Sequence, residues 1–521
     1  MTISTDDLVR SVLSALLSLA FLLTIGTDSS AENSTDRRPL KNVTDIKHII
    51  VIYQENWSFD SLYGHFPGAN GYANCFDTLP QLDVKVNPPY SSLIYETPSP
   101  LAGSPLATDP QFPSVEGRLA LASHQNLALP LIPYDLTKYI AANAITGDLV
   151  HRFYHQQLQI DNGALEQKNG DLDKFVTWSD NPGLVLSYID ATDLPEGKLA
   201  RQYTLCDNFF HSAYGGSFLN HHWLIAVATP PWTTEIPLGW RSSYDSAAKI
   251  LNDNQLSFDG KYAVNNIQPL LAPFSPGTVT SKRLLINNTD PRQPGYTPNI
   301  GNRLDAAGID WRWYAGGWND ALINNVTASG KLFQFHHQPF AYYTKYAPFT
   351  TAPTDNYTEL NPPKLNPATT GPKAHLQDEQ QFFDDVTSGN LPPVSFIKPL
   401  GPSNEHPGYT DLVTGQQHVA ELVAAVQKSK IWKNCAIIIT YDENGGRWDH
   451  VIPPVRKDGW GVGLRVPTIV ISPFVQQGHI DSTEYETVSI LKLIERRFKL
   501  APLSARDKDP EINDLTHALG L

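Results

Sequence analysis

HIIVIYQENWSFDSLYG, residues 48–64, and AIIITYDENGGRWDHVIPP, residues 436–454, read alike although they stand near opposite ends of the chain. Each is a strand-length run of β-branched and aromatic residues that stops abruptly in acid and amide side chains. A run apolar at every position predicts a strand buried on both faces, as in a parallel sheet. Each run therefore delivers polar groups to the end of a buried strand: Glu55 and Asn56 in the first, Asp442 and Glu443 in the second. In α/β folds active sites collect there. Carboxylates and an amide oxygen meeting at one sheet edge make a hard-oxygen site suited to a divalent metal. For either segment alone, a helix cap or a solvated loop explains the acids as well. The pair together points to an enzyme. Gly445 and Gly446 allow a tight turn beside a ligand, and Asp449 and His450 add polar groups before Pro453 and Pro454.

Working outward, apolar strands are expected at 48–53, 394–398, 436–440 and 466–472, and amphipathic helices at 414–429 and 485–498. Strands alternating with helices imply an α/β fold, a mainly parallel sheet flanked by helices on both faces. Stretches 77–135 and 229–300, rich in Pro, Asn, Ser and Thr, are expected to be loops or insertions. Because the two acid segments bracket almost everything else, one large domain over 32–521 fits better than a string of domains.

The 521 residues can bury a large core. With 41% apolar and 18% charged residues the chain is neither disordered nor membrane-embedded. A net charge of -14 argues against nucleic acid as a partner, which requires a basic footprint. Residues 11–25, SVLSALLSLAFLLTI, are too short for a comfortable bilayer span and precede the small residues Ser29-Ser30-Ala31. This reads as a secretory signal over 1–31, hence a secreted or periplasmic protein with no stable membrane insertion after cleavage; an uncleaved anchor is the alternative, since Asp6 and Asp7 outweigh Arg10. Cys75, Cys206 and Cys435 permit at most one internal disulfide and show no metal-type spacing. Sequons stand at Asn33, Asn42, Asn287, Asn325 and Asn356; Asn56 is in a sequon too, but its place at a strand end suits an unmodified functional residue.

HSAYGGSFLNHHW, residues 211–223, places Ser217 after two glycines, so the chain can turn sharply and expose the hydroxyl at a helix start that attracts anions. The plain alternative is a glycine turn with a capping serine. A serine nucleophile needs a base or a metal. The base route recruits Ser217, Asp442 and His450 as a serine carboxylesterase triad, but Leu219 occupies the position where the esterase elbow requires glycine, and Glu55, Asn56 and Glu443 go unused. The metal route uses them all. Histidines complete the set: His151 in GDLVHRFYHQQLQIDNG (147–163), His336 and His337 in FQFHHQPFAYY (333–343) and His406 in NEHPGY (404–409), with His155 and His124 in reserve. As imidazoliums in mild acid they would pair with phosphate oxygens and protonate a leaving alkoxide.

ENWSFDSLYG resembles the first signature of the phosphoesterase family that contains bacterial and plant non-specific phospholipases C and secreted bacterial acid phosphatases. YDENGGRWDHVIPP resembles its second, and DLVHRF, GGSFLNH, FQFHHQPF and NEHPGY follow in the family's order, from about residue 45 to 500. The resemblance implies an alkaline-phosphatase-like α/β core and a metal-assisted hydroxyl nucleophile. It implies that Glu55, Asn56, Asp442 and Glu443 hold a divalent metal, that Ser217 attacks phosphorus and touches the metal, and that His151, His337 and His406 surround the phosphoryl group, with His336 able to replace His337. Ser217 followed by Phe-Leu-Asn-His resembles the acid phosphatase branch, whereas phospholipase C members carry Thr with Pro-Asn-Arg. The expected substrate is a small phosphomonoester or a phospholipid headgroup. A non-catalytic extracellular protein holding structural calcium is the reading from another class.

Overall fold

In the computed structural model the described residues are 39–75, 132–161, 172–246, 250–271, 283–323, 333–350 and 374–521, with short pieces at 93–94, 128–129, 364–366, 369 and 371. The apolar runs pair into an eight-stranded sheet. In chain order its strands are β1 (His48–Gln54), β2 (Thr204–Cys206), β3 (Trp311–Ala315), β4 (Leu376–Asp378), β5 (Val394–Lys398), β6 (Cys435–Tyr441), β7 (Thr468–Ile471) and β8 (His479–Asp481). Across the sheet they run β4-β3-β5-β1-β6-β7-β2-β8. All pairings are parallel except those of β7, which is antiparallel to both neighbours. The α/β, mainly parallel sheet expected from the sequence is the one observed.

β1 is central, and its register puts Gln54 opposite Tyr441 of β6. Glu55 and Asp442 therefore leave the sheet side by side. This alignment follows from two β-branched runs of equal character, buried along almost their whole length, pairing side by side.

The main helices are α1 (Phe153–Ile160), α2 (Ser217–Ala226), α3 (Glu379–Ser388), α4 (Leu412–Gln427) and α5 (Thr487–Phe498). Successive strand residues point to opposite faces. Tyr53 donates from its hydroxyl to the Asn220 carbonyl in α2 at 3.3 Å, while Gln54 donates to Glu405 just before α4 at 2.8 Å. Helices α2 and α4 thus cover opposite faces; α5 packs with α2, and α3 with α4. α4 starts two residues earlier than its apolar pattern suggests because Asp411 caps the Thr414 N–H. α5 starts two residues later, behind a Glu486–Ser489 capping box.

Arg38–Leu521 forms one compact unit. The signal segment, His124 and the sequons at Asn33, Asn325 and Asn356 lie outside the described residues. Asn42 is exposed, Asn287 is half-buried, and Asn56 is fully buried. Cys206 and Cys435 are buried free thiols in β2 and β6. Among the described residues no helix is long and apolar enough to cross a membrane.

One buried carboxyl makes stability pH-dependent away from the strand ends. Burial, then Asp507, pushes Glu495 on α5 up to about 9 from 4.5. Its contribution is fully present below about pH 4.5 and is lost as pH rises toward 9. Glu495→Gln is expected to raise the melting temperature at pH 8 by about 1–3 °C, with little change at pH 4.5. Equal shifts at the two pH values, by calorimetry, would contradict this.

Candidate active site

The two signatures knit together before they present any chemistry. Arg465 bonds Asp60 and Asp449, each at 2.9 Å, and His450 Nδ1 lies 2.6 Å from the second Asp60 oxygen. Ser58 donates to the Trp448 carbonyl at 2.8 Å, and the Arg447 guanidinium lies 4.0 Å from the centre of the Trp57 ring. At Gly445, with φ at +60°, a Cβ would come within 2.2 Å of the Asn56 carbonyl, so only glycine allows that approach. Asp449 and His450 thus brace the signatures. This overturns the esterase triad: His450 Nδ1 is taken by Asp60 rather than by Asp442.

Glu55, Asn56, Asp442 and Glu443 are all buried at the ends of β1 and β6. Asn56 donates to Glu443 Oε1 at 2.7 Å across 387 positions of chain, and Glu443 Oε2 accepts from the Gly445 N–H at 2.7 Å. These bonds fix Glu443 against Asn56 and leave each carboxylate oxygen a further lone pair. Asn56 Oδ1 and Asp442 Oδ2 have no hydrogen-bond partner among the described residues. Orphaned buried oxygens are costly unless something else meets them. Oxygens of Glu55 and Asp442, with a nitrogen of His221, all lie within 4.8 Å of one another. Two orphaned hard oxygens beside a neighbouring carboxylate fit a divalent cation.

The charges at the site are uneven. Burial would push Glu55 up, but Lys398 and then His337 pull it well below the usual carboxylate range. Lys398 Nζ and His337 Nε2 each stand 2.7 Å from Glu55 Oε1. Asp442 moves the other way, pushed well up by burial and then by the negative charge of Glu55; burial also raises Glu443.

Ser217 opens α2, with Gly216 as the N-cap. The sharp entry is possible because Gly215 has φ at +91° and packs against the Phe153 backbone, where a Cβ would come within 2.7 Å. The serine sits at the positive end of the helix dipole, and it is among the groups that favour the charged form of Asp442.

His151 and His406 are set alike. His151 Nδ1 donates to the Leu149 carbonyl at 2.6 Å and presents Nε2 to Glu443 at 3.8 Å. His406 Nδ1 donates to the Pro407 carbonyl at 2.5 Å and presents Nε2 to Glu55 at 3.7 Å, its ring stacked on Tyr409. His336 and His337 are buried side by side, their rings 4.8 Å apart. Burial lowers His337 and His406 to about 4 and His336 well below 6.5. The expected imidazoliums in mild acid are therefore not what this interior favours: burial outweighs the pull of Glu55.

Two residues of this constellation escaped the motif reading. Lys398 ends β5 and is fully buried, and its signal was available, since VSFIK closes an apolar run with a charge just as HIIVIYQE does. His221 bonds the Ser217 carbonyl at 2.7 Å through Nδ1, its ring edge-on to Tyr53. His155, held in reserve, is bound by Asp253 at 3.1 Å.

An α/β sheet whose strand ends bring together a serine on a carboxylate, a hard-oxygen cluster and buried histidines defines a hydrolase of phosphoric esters. The chain belongs to the Phosphoesterase family, whose model matches residues 46–501. It is 24% identical to Phospholipase C B of Mycobacterium tuberculosis over 91% of this chain and 78% of that protein. It is 23% identical to the non-hemolytic phospholipase C of Burkholderia pseudomallei over 88% of this chain but only 55% of that longer protein. Among solved structures it is similar to an alkaline phosphatase superfamily protein from Vibrio parahaemolyticus, 10% identical, covering 62% of this chain and 63% of that one with a TM-score of 0.29. A likeness of that size adds nothing to what the sheet itself establishes.

Proposed function

We propose that the protein hydrolyses phosphomonoesters through a phosphoseryl intermediate at Ser217, with Glu55, Asn56, Asp442, Glu443 and Ser217 holding a divalent metal. The observation that carries this reading is the pair of buried, unpartnered oxygens, Asn56 Oδ1 and Asp442 Oδ2, at the strand ends that Ser217 faces from the start of α2. A divalent cation bound there would supply charge that favours the alkoxide of Ser217 and screens phosphoryl oxygens.

The chain's own residues account for the rest. The N-terminus of α2 receives the anion. Ser217 Oγ attacks phosphorus, its proton passing to Asp442, and the Oγ–P bond forms as the ester P–O bond breaks. The departing oxygen leaves beside Nε2 of His151 and His406, which the Nδ1 bonds to backbone carbonyls leave as acceptors, and takes its proton from solvent water. Water then attacks the phosphoserine, passing a proton through one of these Nε2 atoms to solvent; the Oγ–P bond breaks, Ser217 Oγ takes its proton back from Asp442, and phosphate is released. Lys398 is the cation at the end of β5 and offsets the second negative charge that only a monoester carries, with His336 and His337 beside it as neutral hydrogen-bonding rings. We further infer that residues 32–521 act as a single phosphoesterase domain, exported by the apolar segment at 11–25.

The names of the relatives favour a second reading, phospholipase C action on a phosphodiester headgroup. Catalytic efficiencies on an aryl phosphate and on short-chain phosphatidylcholine, with and without chelator, separate the two. The account expects kcat/KM for the aryl phosphate to be higher by at least about tenfold, and lost with chelator. A clear preference for the lipid makes the protein a phospholipase C; metal-independent cleavage of an aryl carboxylic ester revives the carboxylesterase.

A further inference from the structure

Each of three active-site residues is preceded in the chain by a residue that turns to the other side of the sheet end. Gln54 precedes Glu55, Tyr441 precedes Asp442, and Glu405 precedes His406. Those three meet. Gln54 Nε2 donates to Glu405 Oε1 at 2.8 Å, and the Tyr441 hydroxyl lies 2.5 Å from Glu405 Oε2. A fourth residue, Glu196 of the short helix Pro195–Ala200, stands 3.2 Å from the same hydroxyl, so both carboxylates converge on Tyr441. Gln54, Glu196 and Glu405 are all 0% exposed, as is Tyr441.

The chemistry of this cluster is constrained. Tyr441 has one proton and two carboxylates to serve. Two buried carboxylates converging on one hydroxyl, with neutral partners in Gln54 and Tyr441, repel each other when both are ionised, which favours a single proton held between them. Glu405 is also held in the left-handed region, at φ of 71°, where a side chain costs free energy and persists only when its surroundings over-determine it. The surroundings do so: Trp57 Nε1 donates to its carbonyl at 3.0 Å, and α4 passes so close that a Cβ on Gly415 would come within 2.2 Å of Glu405 Cγ.

We propose that Glu196 and Glu405 form a proton-sharing clamp that positions the active site from behind the sheet, acting through Gln54 on Glu55, through Tyr441 on Asp442 and through its own backbone on His406. Neither carboxylate touches substrate; both are positioning residues. The proposal rests on the reading of Glu55, Asp442 and His406 as site residues.

The test measures kcat, KM and metal content of the full chain, on an aryl phosphate and per metal-loaded enzyme, in Glu405→Ala, Glu405→Gln, Glu196→Gln and Tyr441→Phe. Displacement of reacting groups by a fraction of an ångström predicts that Glu405→Ala lowers kcat by about 30- to 100-fold with KM changed less than about threefold. Glu405→Gln, which keeps an acceptor for Gln54 and donates to Glu196, should recover most of that loss. Tyr441→Phe deletes one hydroxyl and should lower kcat by about three- to tenfold even where Glu405→Ala does not fold. Wild-type kcat in both Glu405→Ala and Tyr441→Phe, or a glutamine variant as damaged as the alanine one, overturns the clamp. Should Glu405→Ala not fold, wild-type kcat in Tyr441→Phe alone overturns it. Glu55→Gln separates the two levels of failure: if it retains activity, the site reading is wrong, whereas its inactivity beside an active Glu405→Ala condemns the clamp alone.

Discussion

Ser217→Ala is expected to lower kcat on an aryl phosphate by at least about a thousandfold, because it removes the hydroxyl that the start of α2 presents to the strand ends. The fold should be spared. Ser217 is buried but small, its backbone position is set by Gly215 and Gly216, and the substitution removes one hydroxyl without opening core volume. Melting temperature is therefore expected within about 2 °C of the parent. KM should change little, since positioning by α2, Lys398 and the histidines is retained. Steady-state kinetics beside a thermal melt checks both halves, and residual turnover in the tens of per cent excludes Ser217 as the obligatory nucleophile.

Asp442→Asn is expected to weaken metal binding by at least about 100-fold and to take activity with it. The substitution keeps the shape of the side chain and removes the anion, so any loss reports charge and ligation rather than packing. Burial raises Asp442 well above its ordinary range, which means the parent site takes up a cation only by expelling that proton, and affinity should fall as pH falls. The asparagine variant has no such proton and should lose most of that dependence. Metal content by elemental analysis after equilibration at several pH values tests this; unchanged occupancy moves the metal away from Asp442.

How much of this was legible in the sequence depended on whether a residue's role follows from strand ends or from three-dimensional partners. β1, β5 and β6 were readable because strands buried on both faces leave unbroken apolar runs, and the acids that terminate them announced Glu55 and Asp442. The antiparallel direction of β7 was not readable, since a short apolar run carries no sign of its orientation. Histidine placement was legible in outline from the motifs, but protonation was not. The sequence cannot say that His337 meets a carboxylate already paired with Lys398, nor that burial holds it near 4. The assignment of His450 to a triad failed for a related reason: sequence proximity to Asp442 says nothing of Asp60 and Arg465, which bind it from distant segments. Glu196 carries no local signature and Glu405 lies inside NEHPGY with no sign of its own role, and their meeting is visible only once the sheet brings Gln54 and Tyr441 into register.

The central claim is a covalent phosphoryl-enzyme on one residue. Mixing the metal-loaded protein with a phosphomonoester, quenching in acid within a turnover and mapping phosphopeptides by mass spectrometry tests it directly. The account predicts phosphate on Ser217, in the peptide containing GGSFLNHH, formed only with metal present and absent from Ser217→Ala. Phosphate on a histidine, or full turnover with no phosphorylated peptide at any quench time, would contradict it.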